Sequence, residues 1–548
     1  MTLIRGILLA LTIGLLMPVQ AIAQQTGGPC PRPAPGSVVT PAADLYSQNG
    51  VLNVTLSYYT ALDFYGRTEF CFVTSNGEEG PTLHVNPGDK LEVTLTDMVP
   101  APPGAGEEVV SNSNTSFACF ATSMNASSVN MHFHGTNVSP TCHSDEVIHT
   151  IVNSGETFQY VINIPANEPP GLYWYHPHVH GIASHAVQGG ATGIIEVEGI
   201  AGLEPVVAGL PQRFLAIRDQ PLATNGVLSA FPNAPFWDVS LNYVPVNYPQ
   251  YIPSVIQMNS GAQEFWRVAN TTADTVMDLV LTYDGVAQPL TLVALDGVPI
   301  GSQDGTQQGN TITQNDVLIP VAGRAEFIVT GPTAGVKKAL LSTYKIDTGP
   351  AGDNDPARPL ASIQLTNQDL KLPVLKAQYA APTAQRFEGL LHAKVTKTRK
   401  LYFSERVGAN SHGNRGPSGL GMAFFVTVAG QPPVVFYADE PPAIVTTQGA
   451  VEDWTIENQS TEVHEFHMHQ IHFLLMAING VPVSPAQQQF YDTYQVGYWD
   501  GKGKKFPSIT VRMDFRGAVV GDFVYHCHIL DHEDAGMMAK IQVKPAAP

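Results

Sequence analysis

Four pairs of histidines are spaced one residue apart. They are His132 and His134 in "HFHG", His176 and His178 in "HPH", His467 and His469 in "HEFHMH", and His526 and His528 in "HCHILDHEDAGM". On a strand, residues two apart share a face and residues an odd number apart face oppositely. Each pair therefore presents two imidazoles to one side. Eight imidazoles buried without a partner would be costly, and a metal site is the economical explanation. Cys527 lies between His526 and His528, so it faces the other way. His464 precedes His467 by three residues and also points away from its pair; His532 and Met537 follow the strand, in an expected loop. One cysteine, two histidines and a methionine make a trigonal His2Cys copper site with a weak axial thioether. Bound as a thiolate, Cys527 is kept from oxidation, and its flanking histidines give a short covalent path between two metal sites. Structural zinc takes four ligands and has no redox chemistry, so it has no use for such a bridge.

These residues need strands to hold them, and the chain repeats one strand-forming unit three times. "NPGDKLEVTLTD" (86–97), "NSGAQEFWRVAN" (259–270) and "TQGAVEDWTIEN" (447–458) each carry a Gly, then alternating apolar residues, then Asp or Asn. Alternation marks half-buried strands and the Gly marks the turn into each. The expectation is an all-β chain of three tandem β-sandwich domains, 24–200, 201–370 and 371–548, with "GIAGLEPVVAGLP" (199–211) and "LKLPVLKAQYAAPTA" (370–384) as linkers. "GLYWYHPH" (171–178) lines up with "GDFVYHCH" (521–528), so the first and third domains each carry two histidine pairs. Between His185 and His392 there is neither histidine nor cysteine. The middle domain is read as a spacer without imidazole or thiolate ligands.

Arg5, the apolar run from Ile7 to Met17 and the small-x-small stretch Ala21-Ile22-Ala23 make residues 1–23 a secretory signal peptide. No later stretch approaches the roughly 20 apolar residues of a spanning helix, so the expectation is an exported protein, periplasmic or extracellular, with no membrane insertion. A net charge of −19 argues against nucleic-acid binding. Of five cysteines, four would pair in an oxidising compartment in one of three ways. Sequence proximity joins Cys119 to Cys142 and Cys30 to Cys71, leaving Cys527 over.

Together the four histidine motifs resemble those of the multicopper oxidase family, specifically three-domain laccase-like enzymes, over the whole mature chain. The resemblance implies three cupredoxin-like Greek-key domains and four copper ions. By motif position His464, Cys527, His532 and Met537 would hold type 1 copper, and His132 and His467 type 2. His134, His176, His178, His469, His526 and His528 would hold the type 3 pair. It implies one-electron oxidation of a small reductant at type 1, coupled to four-electron reduction of dioxygen to water at the trinuclear cluster. Glu533 and Asp145 stand where similar enzymes have proton-relay carboxylates. The chain departs from the family at Glu465, where Pro is common, and at Gln470, where Gly is. In the first domain Pro177 takes the place of Cys527, so that domain would have no type 1 site. Asp531 and Asp534 read as surface acids and Met538 as core. His180 reads as a neighbour of the cluster or a surface residue, His472 as packed or hydrogen-bonded, and His143, His149 and His185 as structural.

Phenols or aromatic amines are the expected reductants. The 13 methionines form no Met-rich run, which disfavours soft Cu(I). A metallo-oxidase acting on Cu(I), Fe(II) or Mn(II) is the alternative. A copper nitrite reductase would lack the paired histidines, and a copper electron-transfer protein would need only the thiolate site.

Overall fold

The computed structural model describes residues 28–102, 108–109, 118–223, 234–303, 310–375, 386–407 and 421–547. The signal-peptide reading therefore lies outside the described residues, as does most of the second linker.

The repeated unit forms a strand each time: Lys90–Asp97, Gln263–Asn270 and Val451–Asn458. The preceding Gly88, Gly261 and Gly449 have φ of 90°, 67° and 95°, a left-handed turn that favours glycine. Lys90–Asp97 alternates as expected, with Leu91, Val93 and Leu95 buried. Gln263–Asn270 does not: Trp266 enters the sandwich core, while Phe265 on its other face is also buried. The cover is the first linker, which is not a plain loop. It forms the short helix Ile200–Leu203 and the turn Pro205–Val207, and packs Ile200 and Val207 against Phe265 and Ile328.

Among the described residues, two large sheets and a two-stranded ribbon (Glu108–Val109 with Ser123–Met124) are built from residues 44–197, two sheets from 212–365 and two from 397–544. Each pair of sheets closes over its own apolar core. Neighbouring strands are often distant in the chain, as where Val51–Leu62 pairs in parallel with Lys90–Asp97, so connections cross between sheets. The architecture is tandem β-sandwiches. Cys30 pairs with Cys71 and Cys119 with Cys142, all in the first sandwich. No helix among the described residues is long and apolar enough to cross a membrane.

The first and third sandwiches carry their histidine strands at matching places. Gly171–His176 pairs antiparallel with His132–His134, setting His176 opposite His132. Gly521–Cys527 pairs antiparallel with His464–Met468, setting His526 opposite His467 and Cys527 opposite Phe466. The two sandwiches meet along these strands: His132 stacks on His469 at 3.9 Å and His134 on His467 at 4.2 Å.

Candidate metal centre

Along Gly521–Cys527, Phe523, Tyr525 and Cys527 face the core of the third sandwich. His526 faces the seam, where its Nε2 lies 3.3 Å from His178 Nε2. One strand thus serves two sites on opposite faces, as its alternation requires.

On the core side, His464 Nδ1 and His532 Nδ1 are 3.1 Å apart, and Cys527 Sγ lies 3.6 and 3.8 Å from them. Burial holds both imidazoles below their ordinary range, so they are neutral with free lone pairs. Their other nitrogens face oxygen: His464 Nε2 is 2.6 Å from Ser460 Oγ and 3.4 Å from Glu405 Oε1, and His532 Nε2 is 3.5 Å from Glu462 Oε1. His532 stands in a single helical turn, Leu530–Asp534, not the expected loop. Leu530 anchors that turn by packing on Val187 and Ala273, which brings all three sandwiches to this ligand. Asp534 is not a surface acid. It is 2% exposed and accepts the N–H groups of Gly181, Ala183 and Ser184, which ties the same turn to the first sandwich. Asp531 is exposed and accepts the Ser184 hydroxyl at 2.5 Å. Met537 is buried in the core that holds Cys527, and its carbonyl accepts the Cys527 N–H at 3.1 Å.

On the seam side, hydrogen bonds fix which nitrogen five of the eight rings present. His132, His176, His467 and His526 donate Nδ1–H to Asp145 Oδ1, Pro177 O, Asp492 O and Cys527 O, at 2.8–2.9 Å. His134 does the reverse, donating Nε2–H to Asp492 Oδ1 at 3.1 Å and leaving Nδ1 free. The freed atoms, Nε2 of His132, His176 and His467 and Nδ1 of His134, are buried without partners. Ligand atoms of His134, His176 and His528 converge within 4.8 Å of one another, and so do those of His178, His469 and His526 and those of His132, His134 and His467. Burial pushes His134, His176, His467, His469, His526 and His528 well below their ordinary range, and His178 down to about 4. Protonation therefore does not satisfy these lone pairs, whereas cations would. Burial also pushes the Cys527 thiol up, so a bound cation is what would draw off its proton. Thiolate plus imidazole on one face and imidazole alone on the other fit copper.

Family models described as "Multicopper oxidase" match residues 106–200 and 423–547. The chain belongs to the multicopper oxidases. Its relatives include "Multicopper oxidase mco" of Staphylococcus haemolyticus, 21% identical over 518 residues, covering 90% of this chain and 89% of that one. "Laccase" of Bacillus subtilis is 21% identical over 425 residues, 70% of this chain and 72% of that one. The structure described as "Multicopper oxidase from Campylobacter jejuni: a metallo-oxidase" shares the fold with a TM-score of 0.65 at 21% identity, covering 93% of this chain and 96% of that one. This multicopper oxidase is thus a copper-dependent enzyme that uses oxygen as acceptor.

Around the oxidase's imidazoles stand residues that the motifs do not announce. Asp492 takes the His134 Nε2–H on its carboxylate and the His467 Nδ1–H on its carbonyl. Arg324 of the middle sandwich grips that carboxylate with two hydrogen bonds, of 2.7 and 2.5 Å, so this sandwich does more than space its neighbours. The only local signal for either residue is a charge inside an apolar strand stretch, "FYDTYQV" and "AGRAEFIV". Asp145 also accepts the Phe133 N–H and the Gln470 Nε2–H, at 3.0 and 2.5 Å, so its oxygens are occupied. Gln470 reaches it from a left-handed backbone, φ 58°, where glycine is the easier residue. Glu533 differs from Asp145: both its oxygens are buried without hydrogen-bond partners. They lie 3.9 Å from His178 Nε2, His526 Nδ1 and His180 Nδ1, and burial raises the acid. His472 is buried with Nε2 on Asp296 O at 2.8 Å, and Met538 is core. His143 Nδ1 bonds Gln159 O at 2.7 Å, His149 sits 3.4 Å from Glu146, and His185 meets the edge of Phe70.

Proposed function

We propose that this oxidase couples one-electron oxidation of a small reductant at a type 1 copper to four-electron reduction of dioxygen to water at a three-copper cluster. His464, Cys527, His532 and Met537 would hold type 1, His132 and His467 type 2, and His134, His176, His178, His469, His526 and His528 the type 3 pair. Four copper ions would store the four electrons, taken one at a time from the reductant, that dioxygen needs. The observation that carries the reading is the strand with Cys527 in the triangle on one face and His526 in the cluster on the other. Sandwiches 24–200 and 371–548 hold the cluster between them, and 201–370 braces it through Arg324. Asp145 orients His132. Glu533, with both oxygens unengaged, is the better proton carrier of the two. Export to the periplasm or the extracellular space belongs to this reading, supported by the leader-like residues 1–23 and two disulfides.

Phenols or aromatic amines remain the first reading for the reductant. A second reading, Fe(II) or Mn(II), is favoured by one observation: Glu405 and Glu462 stand 3.4 and 3.5 Å from the outer nitrogens of His464 and His532. Carboxylate oxygens suit hard cations and do not suit Cu(I). The test is kcat/KM for a methoxyphenol, Fe(II), Mn(II) and Cu(I), with no Cu(II) added to the phenol assay, in the parent and in E405Q/E462Q. The first reading expects phenol to lead and the double variant to leave it unchanged. The second expects Fe(II) or Mn(II) to lead and the variant to lower it at least about tenfold. A lead for Cu(I) overturns both, and phenol activity that appears only when excess copper is supplied overturns the first.

A further inference from the structure

The sulfur of Cys527 receives a hydrogen bond from the Glu465 backbone N–H at 3.3 Å. Glu465 is the second residue of His464–Met468, where the pairing with Gly521–Cys527 runs out. Its carbonyl still accepts the His528 N–H at 2.8 Å, but its own N–H goes to the sulfur. The bond is thus made at no cost to the sheet. It is also made next to His464, so one short stretch supplies both a nitrogen to the triangle and a dipole to its sulfur. Both groups are fully buried, with no solvent to screen the dipole.

An N–H aimed at a thiolate puts the positive end of a peptide dipole on the atom that carries most of the site's negative charge. That favours the state with one more electron, and hydrogen bonds to the cysteine sulfur are one of the levers that set such potentials. We propose that the Glu465 N–H raises the reduction potential of the thiolate copper site, making it a stronger oxidant of its substrate than the four ligand side chains alone would. The inference rests on the ligand set proposed above. For this bond the residue type matters only through its N–H: any residue except proline supplies it, and proline deletes it. Hydrogen bonds to charged groups are strong enough for one lost bond to change a one-electron equilibrium about tenfold, or about 59 mV.

The experiment is a redox titration of the blue absorption band in the parent, E465A and E465P. E465A removes the side chain and keeps the N–H; E465P removes both. His464 is already extended, as the residue before a proline should be. The expected result is a potential in E465P about tenfold lower, in equilibrium terms, than in E465A. Equal potentials in E465A and E465P overturn the inference. A copper-loaded parent with no blue band overturns the ligand set instead. Should E465P fail to accumulate, resonance Raman of the parent made in deuterated water replaces it. The Ile529 N–H also bonds this sulfur, so a copper–sulfur shift on deuteration that changes when Glu465 alone carries a 15N amide upholds the bond, and a stretch insensitive to that label overturns it.

Discussion

Replacing Arg324 with methionine tests whether the middle sandwich braces the cluster. Arg324 is fully buried and donates to Leu172 O and Ala322 O, each at 3.1 Å, besides its two bonds to Asp492. Burial alone would push the Asp492 carboxyl up, but the guanidinium more than offsets this and holds it below the usual carboxylate range. Methionine fills much of the same volume and leaves a buried carboxylate with no cation. Removing one partner of a buried ion pair costs about 3–5 kcal/mol. Asp296, 3.5 Å from Arg324 Nη1, does not add a second bare charge, because burial pushes it up to about 7 and it can take a proton. The expected loss for R324M is therefore about 3–5 kcal/mol, read by urea unfolding of the metal-free protein. Copper should be held about 10–100-fold more weakly, because Asp492 no longer pins His134 and His467. R324M/D492N should recover most of both losses. It buries no charge, and an asparagine Oδ1 can still accept the His134 Nε2–H. A fully stable R324M, or a double variant less stable than R324M, would refute the argument.

Cys527→Ser should abolish the blue band and substrate oxidation while about three coppers stay bound, since the seam imidazoles do not need the sulfur; metal analysis with electron paramagnetic resonance reads both. Glu533→Gln keeps the shape of a side chain 3.9 Å from two cluster imidazoles but cannot carry a proton. Reoxidation of the reduced enzyme by dioxygen should slow about 10²-fold or more while reduction by substrate is unchanged, as stopped-flow absorption would show. Equal reoxidation rates would make Glu533 a bystander.

Much of this arrangement is legible in the sequence because strands have a period of two. Parity alone separates Cys527 from His526 and His528, and the Gly-led repeats find the strands Lys90–Asp97, Gln263–Asn270 and Val451–Asn458. What stays hidden is what the chain joins across distance. Arg324 and Asp492 are 168 positions apart, and Asp145 and Gln470 are 325 apart. No local pattern records such a bond. The turn at Leu530–Asp534 was hidden for a related reason: five residues are too few to show a helical period, and contacts with Val187 and Ala273 hold it. Asp534 reads as a surface acid because its three donors, the N–H groups of Gly181, Ala183 and Ser184, lie about 350 positions away.

The seam between the first and third sandwiches has a consequence for how the enzyme is made. Four of the eight seam imidazoles come from residues 132–178 and four from 467–528. His178 and His526, 348 positions apart, end up with nitrogens in contact. A cluster ion would therefore be shared by two stretches of chain that meet only when what lies between them has folded. Affinity for these ions then contains the free energy of closing that loop, and each ion bound returns it as cohesion between the ends. The thiolate triangle is drawn from residues 464–532 alone, but its His532 stands on the turn that Val187, Ala273 and the N–H groups of Gly181, Ala183 and Ser184 hold, so its last ligand is fixed only when the other sandwiches have docked. Colour and dioxygen reduction alike would then wait on the meeting of residues 132–187 with residues 464–534.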